Sequence, residues 1–223
     1  MQDEVIFICG GAGEPALDQI ETIKKNYPSH YYIGADRGAL RLVKAGFFID
    51  EAVGDFDSVT EPELQLIQQN THTFERFKAE KDDTDMEIAL EYAMKHNENA
   101  DIYIFGGIGA FGGRMDHLIA NLWLIYQPRF ERITNQLFFI EANHRVNFFK
   151  PGSYRLAYVP NFKYVSIISL TKVVALTIQG AKYELSARDF NYPRALISNE
   201  FVVQKDICVS FSEGILMVVY AND

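Results

Sequence analysis

Up to Pro128, short unbroken apolar runs alternate with segments in which apolar residues recur every three or four positions. Val5-Ile6-Phe7-Ile8-Cys9 is the first run. With no polar residue interleaved, it predicts a strand covered on both faces, as in a parallel sheet. Leu17, Ile20 and Ile23 then keep helical spacing. Tyr31-Tyr32-Ile33-Gly34-Ala35 predicts a second strand, and Leu40, Leu42 and Val43 a short helix closed near Gly46. Ala52-Val53 is a third apolar run. Thr60-Glu61-Pro62-Glu63 opens another helix, because proline is tolerated in a first turn. Thr73-Phe74-Glu75-Arg76-Phe77 alternates as a strand does. Thr84-Asp85-Met86-Glu87 has capping-box spacing, and Met86, Ala89, Leu90, Ala93 and Met94 continue from it on one helical face. Ile102-Tyr103-Ile104-Phe105 predicts one more buried strand. Leu118, Ile119, Leu122, Trp123 and Ile125 predict an apolar helix in which Trp123 packs into the core.

From Leu137 the texture changes. Short segments rich in β-branched and aromatic residues follow one another: Leu137-Phe138-Phe139-Ile140, Val146-Asn147-Phe148-Phe149, Tyr154-Arg155-Leu156, Val165-Ser166-Ile167-Ile168 and Val173-Val174-Ala175-Leu176-Thr177-Ile178. Phe201-Val202-Val203, Ile207-Cys208-Val209-Ser210-Phe211 and Leu216-Met217-Val218-Val219-Tyr220 complete the set, with turn signals at Pro151-Gly152, Gln179-Gly180 and Glu213-Gly214. The expected fold is an α/β domain with a parallel sheet over residues 1–134, followed by an all-β sandwich over residues 135–223.

Charge narrows the choice of partner. Thirty acidic against 21 basic residues give a net charge of −9, which repels nucleic acid. A small phosphate ligand accompanied by a cation remains compatible with it. The acidic start, Met1-Gln2-Asp3-Glu4, is unlike a signal peptide. No apolar run approaches the ~20 residues of a membrane span. A soluble cytoplasmic protein is expected. Cys9 lies inside an apolar run and reads as a buried thiol.

Carboxylates cluster where predicted strands end. Asp36 follows the second strand, and Gly54-Asp55-Phe56-Asp57-Ser58 follows Ala52-Val53. Lys81-Asp82-Asp83-Thr84-Asp85 precedes a helix. Each acidic group could cap a turn or a helix, since Asp and Thr favour such places. Together they form a wall that calls for a hard cation with oxygen ligands, such as Mg²⁺ carrying phosphate. Gly10-Gly11-Ala12-Gly13, Gly106-Gly107-Ile108-Gly109 and Gly112-Gly113-Arg114 lie beyond strand ends, where parallel sheets bind ligands. Arg114 could meet a phosphate bidentately or pair with Asp116. His117 reads as a structural hydrogen bonder. No pair of histidines has zinc-ligand spacing, and there is no nucleophile elbow or Walker-type loop.

Gly34-Ala35-Asp36-Arg37-Gly38-Ala39, Gly54-Asp55-Phe56-Asp57-Ser58, Asp82-Asp83-Thr84-Asp85 and Gly113-Arg114-Met115-Asp116-His117 resemble, in order and approximate spacing, the signature stretches of the thiamine pyrophosphokinase family. Gly180-Ala181-Lys182-Tyr183 and Ile197-Ser198-Asn199-Glu200 extend the resemblance into the β-rich part. It implies an enzyme that moves the pyrophosphoryl group of ATP to the hydroxyl of thiamine, giving thiamine diphosphate and AMP. It implies Asp55, Asp57 and Asp85 as Mg²⁺ ligands with Asp36 close by, and Lys81, Thr84 and Arg114 at the ATP phosphates supported by Asp116. Ser198 and Asn199 would fall on the thiamine side. A homodimer with active sites at the subunit interface is implied as well. Tyr183 stands where eukaryotic members tend to carry Trp, and could stack on a cationic ring or simply pack. The alternatives are a related kinase or diphosphotransferase acting on another small alcohol, and a non-catalytic nucleotide-binding regulator.

Overall fold

The computed structural model describes residues 3–78, 80–108 and 114–222. The glycines Gly109, Gly112 and Gly113 lie outside them. The chain divides into two compact units, 1–142 and 143–223.

In the first unit, β1 (Glu4–Cys9), β2 (Ser29–Ala35), β3 (Ile49–Gly54), β4 (Thr71–Arg76), β5 (Asp101–Phe105) and β6 (Leu137–Ile140) form a parallel sheet in the order β6-β5-β1-β2-β3-β4. From β1 the chain builds outward to β4, then returns to the other side of β1 with β5. The carboxyl ends of β1 and β5 therefore flank the switch point where parallel sheets open a ligand crevice. Helices α1 (Ile20–Ile23, between two 3₁₀ turns), α2 (Arg37–Lys44), α3 (Glu61–Gln69), α4 (Asp85–Asn97) and α5 (Met115–Trp123) connect the strands. Val5, Ile6, Phe7, Ile8 and Cys9 are all fully buried, as their unbroken run predicts. Burial pushes the Cys9 thiol up to about 12. Helix α2 starts tight against β1: a side chain at Gly38 would place its Cβ 1.9 Å from the Cys9 carbonyl oxygen.

Two expectations are corrected here. Leu137–Ile140 pairs in parallel with β5, so it belongs with the α/β unit rather than opening the β-rich part. Trp123 is 62 % exposed. Met115, Ile119 and Trp123, spaced one turn apart, turn outward on α5, while Asn121 turns inward and donates to the Gly107 carbonyl. Asn121 shares the inward side with Leu118, Leu122 and Ile125.

The second unit holds two antiparallel four-stranded sheets. β7 (His144–Phe149), β9 (Tyr164–Ser169), β12 (Arg194–Asn199) and β14 (Leu216–Ala221) run in the order β12-β9-β14-β7; β8 (Gly152–Leu156), β10 (Val173–Gln179), β11 (Leu185–Phe190) and β13 (Ile207–Phe211) run β11-β10-β13-β8. Alternate residues of both sheets, among them Val165, Ile167, Ile178, Val209, Leu216 and Val218, share one core. That is the expected sandwich. Phe201-Val202-Val203 is no strand: Phe201 makes a single bridge to Ala181, and Val203 and Gln204 take φ of 53° and 56°. Among the described residues, no helix is long and apolar enough to cross a membrane.

Candidate active site

A cavity of about 500 Å³ opens at the switch point of the parallel sheet. Its floor is the Gly10–Gly13 turn, laced to the neighbouring strand end by Gly10 N–H donating to the Phe105 carbonyl (2.8 Å) and Ala12 N–H to Gly106 (2.9 Å). Arg41 Nη1 donates to the Ala12 carbonyl at 2.9 Å and steadies the turn from below. Asp36, Asp55, Lys81, Thr84, Asp85 and Arg114 all line this cavity, so most of the residues singled out in the sequence come together there.

Local backbone explains how the carboxylates converge. Asp36 caps α2 with φ 48° and ψ −124°, a conformation that costs a non-glycine residue energy and is held by its surroundings. Its N–H donates to the Val53 carbonyl at 2.8 Å, and its Oδ2 accepts from Ser58 Oγ at 2.7 Å. Gly54, with φ 149°, lets β3 pass so near that a Cβ there would sit 3.0 Å from the Asp36 backbone. Phe56 takes φ 55° and drives its ring into the core, stacked on Phe74 at 4.7 Å. This buried anchor throws Asp55 and Asp57 outward on either side. Asp36, Asp55 and Asp57 each offer an oxygen, all within 4.8 Å of one another.

The electrostatics follow from that crowding. The Asp55 charge, more than any other influence, raises the pKa of exposed Asp57. Asp55 itself is held below the usual range: burial works against this, but the Asp57 N–H (3.1 Å to Oδ1) and the Lys81 ammonium (3.3 Å to Oδ2) prevail. Asp85 is pushed up by burial, even with Lys81 Nζ 2.9 Å away. Lys81 thus spans Asp55 and Asp85, and Asp85 stands outside the close trio. The Asp36 Oδ1 oxygen is buried without a hydrogen bond. Hard oxygen donors with an unsatisfied buried lone pair suit a small divalent cation. The donor set fits Mg²⁺.

Thr84 caps α4 as expected, accepting from Glu87 N–H at 3.2 Å while Glu87 accepts from Thr84 N–H at 2.6 Å. Arg114 makes a bidentate pair with Asp116 (2.5 and 3.2 Å), both exposed, and still lines the cavity. Arg37 and Ser58, which the signature stretches contain, and Met86, which the helical face contains, also line it without having been given a role there; Ala120 and Asn121 line it too and were not singled out. For Asn121 a signal existed: one amide inside an apolar helix.

Ser198 and Asn199 lie in the second unit, on β12. Asn199 is buried, and its amide is engaged by backbone: Oδ1 accepts from Tyr183 N–H (2.9 Å) and Glu200 N–H (3.0 Å), and Nδ2 donates to the Tyr183 carbonyl (2.9 Å). Ser198 is exposed at a bulge, with φ 57°. Tyr183 is 59 % exposed, with Lys182 Nζ 5.6 Å from its ring centre.

Residues 24–137 match the family described as "Thiamin pyrophosphokinase, catalytic domain", and residues 153–216 match "Thiamin pyrophosphokinase, vitamin B1 binding domain". A thiamine pyrophosphokinase from Bacillus subtilis (strain 168) is 34 % identical over 194 residues, covering 86 % of this chain and 87 % of that one. The chain belongs to the thiamine pyrophosphokinase family. It is an enzyme of that family rather than a non-catalytic regulator. A solved thiamin pyrophosphokinase family protein from Enterococcus faecalis superposes with a TM-score of 0.85 at 35 % identity, covering 99 % of each chain. A thiamin pyrophosphokinase from Candida albicans, at 17 % identity, shares the fold with a TM-score of 0.73 over 98 % of this chain and 89 % of that one.

Proposed function

We propose that the cavity binds ATP and that the enzyme transfers its pyrophosphoryl group to the hydroxyl of thiamine, with Mg²⁺ held by Asp55, Asp57 and Asp85 beside Asp36. The observation that carries this reading is the gathering of carboxylates: Asp36, Asp55 and Asp57 offer oxygens within 4.8 Å of one another, Lys81 joins Asp55 to Asp85, and Asp36, Asp55 and Asp85 line the cavity beside the Gly10–Gly13 turn. The thiamine oxygen bonds to the β-phosphorus, the bond from that phosphorus to the bridging α-phosphate oxygen breaks, and AMP leaves while the hydroxyl loses its proton. Transfer of this kind asks for positioning and charge neutralisation rather than a protein nucleophile. When bound, Mg²⁺ supplies the charge that lets a polyphosphate approach an acidic wall. The glycine turn brings backbone amides other than those of Gly10 and Ala12, which are bonded to strand-end carbonyls, within reach of phosphate oxygens; Thr84 offers its hydroxyl at the start of α4, and Lys81 and Arg114 offer cationic donors. Asp116 holds the Arg114 fork in place.

The second unit is taken as the thiamine side. Asn199 fixes the backbone of Tyr183, and Ser198 presents its hydroxyl from the bulge. The assembly is taken as a homodimer, for which light scattering should give twice the 25.4 kDa chain. The test of the metal reading is a titration. Protein stripped with a chelator should be inactive towards ATP and thiamine and regain full activity on Mg²⁺ addition. Full activity in the stripped protein refutes it.

A further inference from the structure

Arg129 is the second residue of the 3₁₀ segment Pro128–Gln136 and is not among the residues that line the cavity. Its guanidinium nevertheless grips the loop that is. Nη1 donates to Asp83 Oδ2 at 3.0 Å and Nη2 to Asp83 Oδ1 at 2.7 Å, a bidentate fork. Nη1 also donates to Glu91 Oε1 at 2.7 Å, Nη2 lies 3.2 Å from Glu87 Oε1, and Nε donates to Gln127 Oε1 at 2.8 Å. Gln127 in turn donates to Glu87 Oε1. Only a planar group with several fixed donors can serve this many acceptors at once. The guanidinium carbon lies 4.7 Å from the ring centre of Phe130, which is fully buried, so the fork is tied to the core. A lone surface ion pair contributes little; this one is a network spanning Asp83, the capping residue Glu87 and the next turn of α4. Asp83 and Thr84 both line the cavity, and Lys81 and Asp85 flank them.

We propose that Arg129 is a positioning residue for the nucleotide: it fixes residues 83–85 so that Thr84 meets the phosphates, and Asp85 the cation that accompanies them, in register. The proposal rests on the reading that the cavity takes ATP. Its test compares Arg129→Gln and Arg129→Lys with a control, Arg132→Gln, which removes an ion pair to Glu98 at the far end of α4. ATP affinity is measured by calorimetry with Mg²⁺ and without thiamine, beside kcat and KM. In Arg129→Gln the Kd and the KM for ATP should weaken about ten-fold, the scale of supporting-residue effects, with kcat much less affected. Arg129→Lys keeps the charge without the fork and should fall between Gln and wild type; Arg132→Gln should match wild type. An unchanged Kd in folded Arg129→Gln overturns the proposal. Where that variant does not fold, Asp83→Asn replaces it. Removing a negative charge from the cavity would by itself tighten ATP binding, so weaker binding reads as lost positioning, and equal or tighter binding overturns it. Wild-type protein that binds no ATP overturns the nucleotide reading and the proposal together, whereas wild-type binding with an unaffected variant overturns the proposal alone.

Discussion

Asp57 is the exposed member of the carboxylate trio, and its pKa is raised chiefly by the charge of Asp55 beside it. Such repulsion is relieved by a cation shared between the two groups. Replacing Asp57 by alanine should therefore lower kcat by at least about a hundred-fold, the scale of losing one charge-stabilising group. Because the side chain is exposed, circular dichroism and the thermal midpoint should be unchanged. A folded Asp57→Ala variant that turns over at the wild-type rate would contradict its role at the metal. At this scale the gathering of the carboxylates was legible: Asp36, Asp55 and Asp85 each follow a predicted strand or open a predicted helix, and they line one cavity. Two features were not legible. Phe56 reads as a spacer between aspartates, and only its burial against Phe74 shows that it orients both. Lys81 spanning Asp55 and Asp85 depends on a distance between loops that spacing along the chain does not encode.

Helix starts were well signalled because capping is local chemistry. At α3, Glu63 Oε2 accepts from Thr60 N–H at 3.1 Å, and Lys44 Nζ donates to Oε1 at 2.9 Å. The Lys44 hydrogen bond first, then the Thr60 amide, lower the Glu63 pKa from 4.5 to about 2. A carboxylate with a depressed folded pKa stabilises fully above its unfolded value and loses that contribution as pH falls through the folded one. The thermal midpoint of wild type should therefore exceed that of Glu63→Gln above pH 4.5, with the gap closing between 4.5 and about 2. A gap that stays constant down that range would contradict the assignment. Elements that depend on tertiary context were harder to read. Strands β11 and β12 are the outer strands of their sheets, and β11 has no buried position to mark an alternation. Outer strands are commonly polar for this reason. Leu137–Ile140 has strand composition wherever it pairs, so nothing local told the parallel sheet from the sandwich. The outward face of α5 belongs here too, since the partner of the inward Asn121 is a glycine carbonyl 14 residues earlier.

For the whole molecule, the order of strands puts a cavity at the switch point of a parallel sheet, and the chain's acidic residues converge on it from β2, β3 and the start of α4. The net charge of −9 and this local wall make a free polyphosphate an unwelcome guest, so turnover should follow the divalent cation. The change of texture along the chain correctly announced an α/β part followed by a β sandwich, because alternation and unbroken apolar runs reflect how many faces of a sheet are covered. The central claim is the reaction itself, and the nucleotide product decides it. Purified protein is incubated with ATP, Mg²⁺ and thiamine, and the products are resolved by ³¹P NMR. Pyrophosphoryl transfer predicts AMP and thiamine diphosphate in equal amounts; ADP with a monophosphate ester, or no turnover of thiamine, would contradict it.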